Sequence, residues 1–277
     1  MNVLITINKG YAEQLKVLLK SIQMSNPNEQ FDIYILHREL DEKDVISIES
    51  NIDEKKFTLN IIKVTENEIN KLPQYQKRYP AEIYFRIFAT KYLPKELDRI
   101  LYLDADTIVI NKLNELYEMD FEGNYYIAAT HIKKILHKFN EIRLDIKKDE
   151  PYINSGVLLI NLQELRKIDV ENDVIQYIKE NAKKLILPDQ DIITALYGSK
   201  IKLVDSLKYN LGDRDLNIYN INNPKKQIKL KWVCKNTVII HYYGKNKPWN
   251  DNYKGILDCF YKKIERNLEQ NGQSASL

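Results

Sequence analysis

The chain has 277 residues, 44% of them hydrophobic and 29% charged, with a net charge of +3. Such a length buries a substantial core as one large domain or two small ones, and the composition is that of an ordinary globular protein. So weak a charge bias, with lysines spread along the chain, excludes a nucleic-acid binder built on a concentrated basic face. Cys234 and Cys259, far apart in sequence, exclude a CxxC motif and a disulfide framework and fit a reducing compartment.

In chain order, the apolar run 2–7 (NVLITI) reads as a buried strand. Residues 12–25 have helical period, with Leu15, Leu18, Leu19 and Ile22 on one face, and NPNEQ breaks the helix. FDIYIL (31–36) is a second strand, 41–52 a helix with Asp41 as its N-cap, and FTLNIIKV (57–64) a third strand. A helix over 81–93 is stopped by Pro94, and RILYL (99–103) is a strand. Further on, 151–162 and 236–244 read as strands, and 170–185 and 189–198 as helices. Strands separated by helices predict βαβ units and a mostly parallel sheet, an α/β class whose ligands bind beyond the carboxyl ends of the strands. Without repeats or linker-like stretches, residues 1–265 are expected to form a single domain and 266–277 a frayed polar tail. The start lacks the marks of a signal peptide and no apolar run spans a membrane, so a cytoplasmic protein is expected.

The chemistry concentrates at RILYLDADTIVI (99–110), where a core-like run is interrupted by Asp104 and Asp106. On an extended segment, residues two apart point to one face. Two like charges so close repel unless a cation lies between them, and hard oxygen ligands suit Mg²⁺ or Mn²⁺. A D-x-D triplet alone is weak: with 19 Asp in the chain, chance supplies about one. The sequence has two others, Asp189/Asp191 and Asp213/Asp215, and the latter reads as a polar loop. His241, ending VIIH at another strand end, offers a third ligand and tilts the metal toward Mn²⁺. Gly244 permits close backbone approach and Lys247 would place a cation beside a bound phosphate, which together describe a metal–diphosphate site.

LYLDADTIV, YINSGVLLINL, LPDQDIIT and IHYYGKNKPW occur in this order, with TINKGYA near the start. The ordered set resembles glycosyltransferase family 8, the retaining group that includes bacterial lipopolysaccharide galactosyl- and glucosyltransferases and glycogenin. The resemblance implies a GT-A fold, in which a Rossmann-like nucleotide-binding sheet with helices on both faces merges with an acceptor half. It implies UDP-glucose or UDP-galactose as donor, Mn²⁺ (Mg²⁺ as the alternative) as cofactor, and a hydroxyl of a glycan or lipid-linked molecule as acceptor. By resemblance, Asp104, Asp106 and His241 are the metal ligands. Thr6, Asn8 and Tyr11 hold the uridine, with the Tyr11 ring able to stack on uracil, and Ala105 belongs to the donor site. Arg86 contacts the donor sugar and its phosphates. Asn154, Ser155 and Gly156 form the turn under that sugar, and Gly244 and Lys247 clamp the diphosphate. Asp189 and Gln190 lie at the far face of the reacting sugar, Asp189 orienting a hydroxyl, and Asp191 caps the following helix. Gln190, a poor nucleophile, favours same-face attack, with a covalent intermediate on Asp189 or Asp191 as the alternative.

The sequence departs from the family at Asn8, where an Asp is common, and at His131 and Ile132, where many members carry an acidic residue. Sugar preference is therefore open. Acceptor loops are expected over 131–150 and 212–230. The basic-aromatic extension that anchors some members to membranes is mostly missing. The basic helix 261–270 leaves room for weak peripheral association at the inner face of the membrane. Two competing readings have their own signatures. A metal-dependent sugar nucleotidyltransferase would show a Gly-rich phosphate loop, and TINKGY has a single Gly. A non-catalytic sugar-nucleotide or glycan-binding module would have lost a metal ligand or Lys247, and all are present.

Overall fold

The computed structural model describes residues 1–69, 82–131, 134–148 and 150–274. Nine strands form among them: β1 Asn2–Ile7, β2 Phe31–His37, β3 Phe57–Lys63, β4 Arg99–Leu103, β5 Thr107–Val109, β6 Tyr126–Ala129, β7 Val157–Asn161, β8 Ile201–Val204 and β9 Ile239–His241. Seven make one sheet in the order β3-β2-β1-β4-β7-β6-β8, while β5 and β9 form a separate two-stranded ribbon. Pairing is parallel from β3 through β4 and between β6 and β8, and β7 runs antiparallel to both its neighbours.

The chain winds outward from β1 through β2 to β3, then returns to place β4 on the other side of β1. The winding direction therefore reverses between β1 and β4, and their carboxyl ends open a crevice where such sheets bind ligands. The sheet is covered on both faces. Leu4, Tyr102, Leu158 and Ile160 pack into one apolar cluster and Val3, Ile5, Leu101, Leu103 and Leu159 into another, following strand alternation. Leu15, Leu18, Leu19 and Ile22 of the Ala12–Ser25 helix are buried in the second cluster, as their spacing predicts. Asp41 caps the Glu42–Glu49 helix in a reciprocal capping box with Asp44.

Several expected elements are shorter than predicted. The helix expected over 81–93 has residue 81 outside the described residues; the remainder is two short pieces, Glu82–Phe85 and Ala89–Tyr92, with Arg86 in the break. Only Val157–Asn161 of 151–162 joins the sheet, because 154–156 turns beneath the site and Pro151 lacks a ladder donor. The 170–185 helix ends at Asn181 and passes into a 3-10 turn, and only Ile239–His241 of 236–244 pairs. Asp213 and Asp215, expected in a loop, occupy the first turn of the Asp213–Asn222 helix, where the helix dipole favours carboxylates. Most of the expected tail is helical. The Asp258–Ser274 helix carries past 265 because Ile264 and Leu268 keep its apolar face on a third cluster containing Ile240 and Tyr261. Residues 275–277 lie outside the described residues. Among the described residues, no helix is long and apolar enough to cross a membrane.

Candidate active site

The ladder of β4 stops at Leu103. Asp104-Ala105-Asp106 is a turn rather than an extended segment: Thr107 N and Thr107 Oγ1 both donate to Asp104 O, at 3.0 and 2.8 Å. The chain then re-enters extended structure as β5, which pairs with β9 in a register that sets Thr107 opposite His241. This pairing brings the carboxylates to the imidazole. One ligand atom from each of Asp104, Asp106 and His241 lies within 4.8 Å of the others. His241 Nε2 is 3.1 Å from Asp106 Oδ1 and 3.7 Å from Asp104 Oδ2.

A hydrogen-bond relay fixes which ring nitrogen faces the carboxylates. The Gly156 amide can only donate, and it donates to Asn154 Oδ1 at 3.1 Å. That oxygen also accepts from Asn210 Nδ2 at 3.0 Å, so Asn210 Oδ1 is turned to His241 Nδ1, 2.9 Å away. Nδ1 therefore carries a hydrogen, which leaves Nε2 as the nitrogen that faces the two carboxylates and could ligate a metal ion. Two half-buried carboxylates and one buried, oriented imidazole fit a hard or borderline divalent cation. Asn210 was not singled out from the sequence, since nothing in LKYNLGD links it to a histidine 31 residues later.

Gly156 earns its place sterically. A Cβ there would overlap His241 Cε1 and lie 2.7 Å from Asp104 Oδ2 and 2.8 Å from His241 Nδ1. Gly244 has φ +82°, a left-handed conformation suited to glycine. Lys247 Nζ ion-pairs with Asp106 Oδ2 and donates to Tyr242 O at 2.8 Å. Burial would raise the Asp106 pKa, but the imidazole and this ammonium hold it below the usual carboxylate range.

On the other side, Arg86 is buried between two acids: Nη2 is 2.9 Å from Asp104 Oδ1 and Nη1 is 3.1 Å from Asp189 Oδ2. Its guanidinium also stacks 4.5 Å over the Tyr102 ring, whose hydroxyl donates to Asp104 at 2.6 Å. Burial opposes the charge on Arg86, but Asp104, Tyr102 and Asp189 outweigh it and its pKa rises. Asp189 accepts from Ser155 Oγ at 2.6 Å, and burial leaves its pKa raised despite Arg86 and that bond. Gln190 follows on the same helix, Pro188–Tyr197, and is also buried. Asp191 is not a cap for this helix. It is wholly buried and takes both Arg143 Nη atoms at 2.7 and 2.8 Å, the Tyr152 hydroxyl at 2.7 Å, and the amides of Ile186 and Leu187.

Thr6, Asn8, Tyr11, Arg86, Asp104 and Ala105 line one cavity of about 350 Å³, with Ile7, Glu82, Ile83 and Asp106. It fills the crevice between the ends of β1 and β4. Tyr11 meets Trp249 edge-on, with ring centroids 6.1 Å apart. His131 Nε2 donates to the Asn210 carbonyl at 2.7 Å, and its ring lies tilted against Tyr243, with centroids 4.9 Å apart. Ile132 lies outside the described residues.

A mostly parallel sheet with a switch-point crevice and an acid–acid–imidazole cluster at its edge is the architecture of an α/β enzyme. The model of the family "Glycosyl transferase family 8" matches residues 2–253, and the chain belongs to that family. It is a glycosyltransferase with a GT-A fold. It is 30% identical over 257 residues to a lipopolysaccharide 1,2-glucosyltransferase of Escherichia coli, covering 90% of this chain and 73% of the relative. It is 24% identical to a lipopolysaccharide 1,3-galactosyltransferase of Salmonella typhimurium, with the same coverages. Among solved structures it is similar to the galactosyltransferase LgtC in complex with donor and acceptor sugar analogs, with a TM-score of 0.82, 21% identity and 96% of both chains covered.

Proposed function

We propose that the protein is a retaining hexosyltransferase that moves glucose or galactose from a UDP-sugar to a hydroxyl of a glycan or lipid-linked acceptor, with Mn²⁺ as cofactor. The observation that carries this reading is the oriented Nε2 of His241 facing Asp104 and Asp106 at the rim of the β1–β4 cavity. The similarity to lipopolysaccharide glucosyl- and galactosyltransferases supports the hexose donor and a cell-surface glycan acceptor at the inner face of the membrane.

Asp104, Asp106 and His241 would hold Mn²⁺, which when bound offsets the negative charge of the diphosphate. Thr6, Asn8 and Tyr11 hold the uridine beyond the end of β1. Arg86, kept charged by Asp104 and Asp189, faces the donor phosphates and sugar. Lys247 supplies a further positive charge where the leaving phosphate develops its own, which favours the transition state over the bound ground state. Asn154, Ser155 and Gly156 support the sugar, and Asp189 orients one of its hydroxyls. For retention, the glycosidic C–O bond to UDP breaks, the acceptor oxygen bonds to the anomeric carbon on the same face, and the acceptor proton passes to the departing phosphate oxygen. Gln190 stabilises the cationic carbon. Asp191 is a poor alternative nucleophile, since five hydrogen bonds occupy its carboxylate.

The test is donor hydrolysis without acceptor, across UDP-, GDP-, ADP- and dTDP-sugars, with Mn²⁺ or EDTA. Slow Mn²⁺-dependent release of UDP from one hexose donor is expected. If no donor turns over and UDP with Mn²⁺ leaves the melting temperature unmoved, the reading is wrong.

A further inference from the structure

Glu82 is an anomaly in the cavity wall. It is 5% exposed, yet it lines the cavity with Thr6, Ile7, Asn8 and Tyr11. Its Oε2 is buried and, among the described residues, has no hydrogen-bond partner. Arg38 faces the other oxygen, with Nη1 3.9 Å from Oε1. A buried carboxylate oxygen without a donor is costly, and one that faces a ligand cavity is explained by a donor that the ligand brings.

The location says which part of the ligand that is. Glu82 opens the short helix and Arg86 directly follows it, and both line the cavity. Arg86 reaches the Asp104 and Asp189 side, where phosphates and sugar belong. The Glu82–Phe85 helix packs against β1, β2 and the Pro188–Tyr197 helix, and within it Glu82 faces Arg38, just past the end of β2, and Thr6, Asn8 and Tyr11, which is the nucleoside side of the crevice. A carboxylate repels phosphate and can only accept, so its partner is an O–H or N–H of the nucleoside.

We propose that Glu82 is a nucleoside-reading residue, its Oε2 accepting a hydrogen bond from a ribose hydroxyl or from the imide N–H of the base. The proposal rests on the UDP-sugar reading. It goes further in giving this chain a recognition contact that no motif marks. An imide contact would also reject cytosine, whose N3 bears no hydrogen and would face the carboxylate with a lone pair.

The experiment measures binding, with Mn²⁺ present, of UDP, 2′-deoxy-UDP, N3-methyl-UDP and CDP to the wild-type protein, Glu82→Gln and Glu82→Ala. Loss of a hydrogen bond to a charged acceptor predicts UDP binding weaker by about tenfold or more in Glu82→Ala. If the ribose is read, the wild type prefers UDP over 2′-deoxy-UDP and Glu82→Ala erases that preference. If the imide is read, the preference over N3-methyl-UDP and CDP collapses instead. Either result supports the proposal, since a merely structural glutamate would weaken all four nucleotides alike. Should Glu82→Ala fail to fold, Glu82→Leu, which keeps the bulk and has no acceptor, reads the same ratios, while Glu82→Gln, with a neutral acceptor, shifts them less. Unchanged ratios in a folded variant overturn the proposal and leave the donor reading intact. A wild type that binds none of the four overturns both.

Discussion

Gly156 lies so close to His241 that a Cβ on it would overlap the imidazole Cε1. Its own amide begins the relay through Asn154 and Asn210 that orients the same ring. One residue thus sets both the position and the tautomer of His241. Neither neighbour can give: Asp104 is tied to Arg86 and Tyr102, and His241 to Asn210. Gly156→Ala is therefore expected to displace the ring, to abolish the Mn²⁺-dependent stabilisation by UDP, and to destabilise the fold by about 1–3 kcal/mol through overpacking. Thermal melts with and without UDP and Mn²⁺ check both effects. An alanine variant with wild-type UDP and Mn²⁺ stabilisation would show that the close approach does not matter.

Asn210 touches the metal-site cluster through His241. Asn210→Leu removes the acceptor for Nδ1–H while keeping similar bulk, so the imidazole loses its fixed orientation. Mn²⁺ affinity should fall about 10–100-fold, as for other partners that orient metal-bound histidines. Calorimetric titration of Mn²⁺ reads this directly. An unchanged affinity would mean that the register of β5 and β9 alone positions the ring.

The parts of the site written as local runs were legible: Asp104 and Asp106 after an apolar strand, and His241 before Gly244 and Lys247. Those runs carry their own signals, since a carboxylate or imidazole at the end of a core strand is conspicuous. Asn210 was not legible, because its meaning comes from Asn154 and His241, far away in sequence. The fold shows the same division. The strongly periodic Ala12–Ser25 helix and strands β1 to β4 could be read, whereas β5, β6 and β8 are only three or four residues long and owe their pairing to tertiary contacts. Asp104 and Asp106 were expected to converge along a strand. They converge across a turn, because Thr107 bonds back to Asp104.

His37 should make stability fall in mild acid. It is buried at the end of β2, and its Nδ1 accepts the Leu40 amide at 3.0 Å. Protonating that nitrogen would break the bond. Burial first, and Lys63 second, push its pKa below the model-compound 6.5. Below that value the unfolded chain binds a proton that the folded protein resists, so the unfolded state holds more protons and stability rises with pH. The contribution is complete above pH 6.5 and is lost as pH falls through the lower folded-state pKa. Denaturation midpoints measured from pH 7.5 downward should decline more steeply for the wild type than for His37→Asn. Parallel slopes would show that His37 is protonated in the folded protein without cost.

Arg143 and Asp191 make the most fully buried ion pair near the site. Asp191 is 0% exposed, and Arg143 binds it through two nitrogens, at 2.7 and 2.8 Å. The pair joins the Lys134–Leu144 helix to the Pro188–Tyr197 helix, which carries Asp189 and Gln190. Removing one partner strands a charge in the interior, so Arg143→Met should cost about 3–5 kcal/mol. Replacing both, as Arg143→Met with Asp191→Leu, removes the stranded charge but leaves the amides of Ile186 and Leu187 without their acceptor. The double variant should therefore recover only part of the loss. Urea denaturation of the two single variants and the double variant measures the coupling, which is expected to exceed about 1 kcal/mol. Additive losses would mean that Asp191 is held by Tyr152 and the backbone amides alone, and that the bond to Arg143 contributes nothing to the seat of the helix behind Asp189.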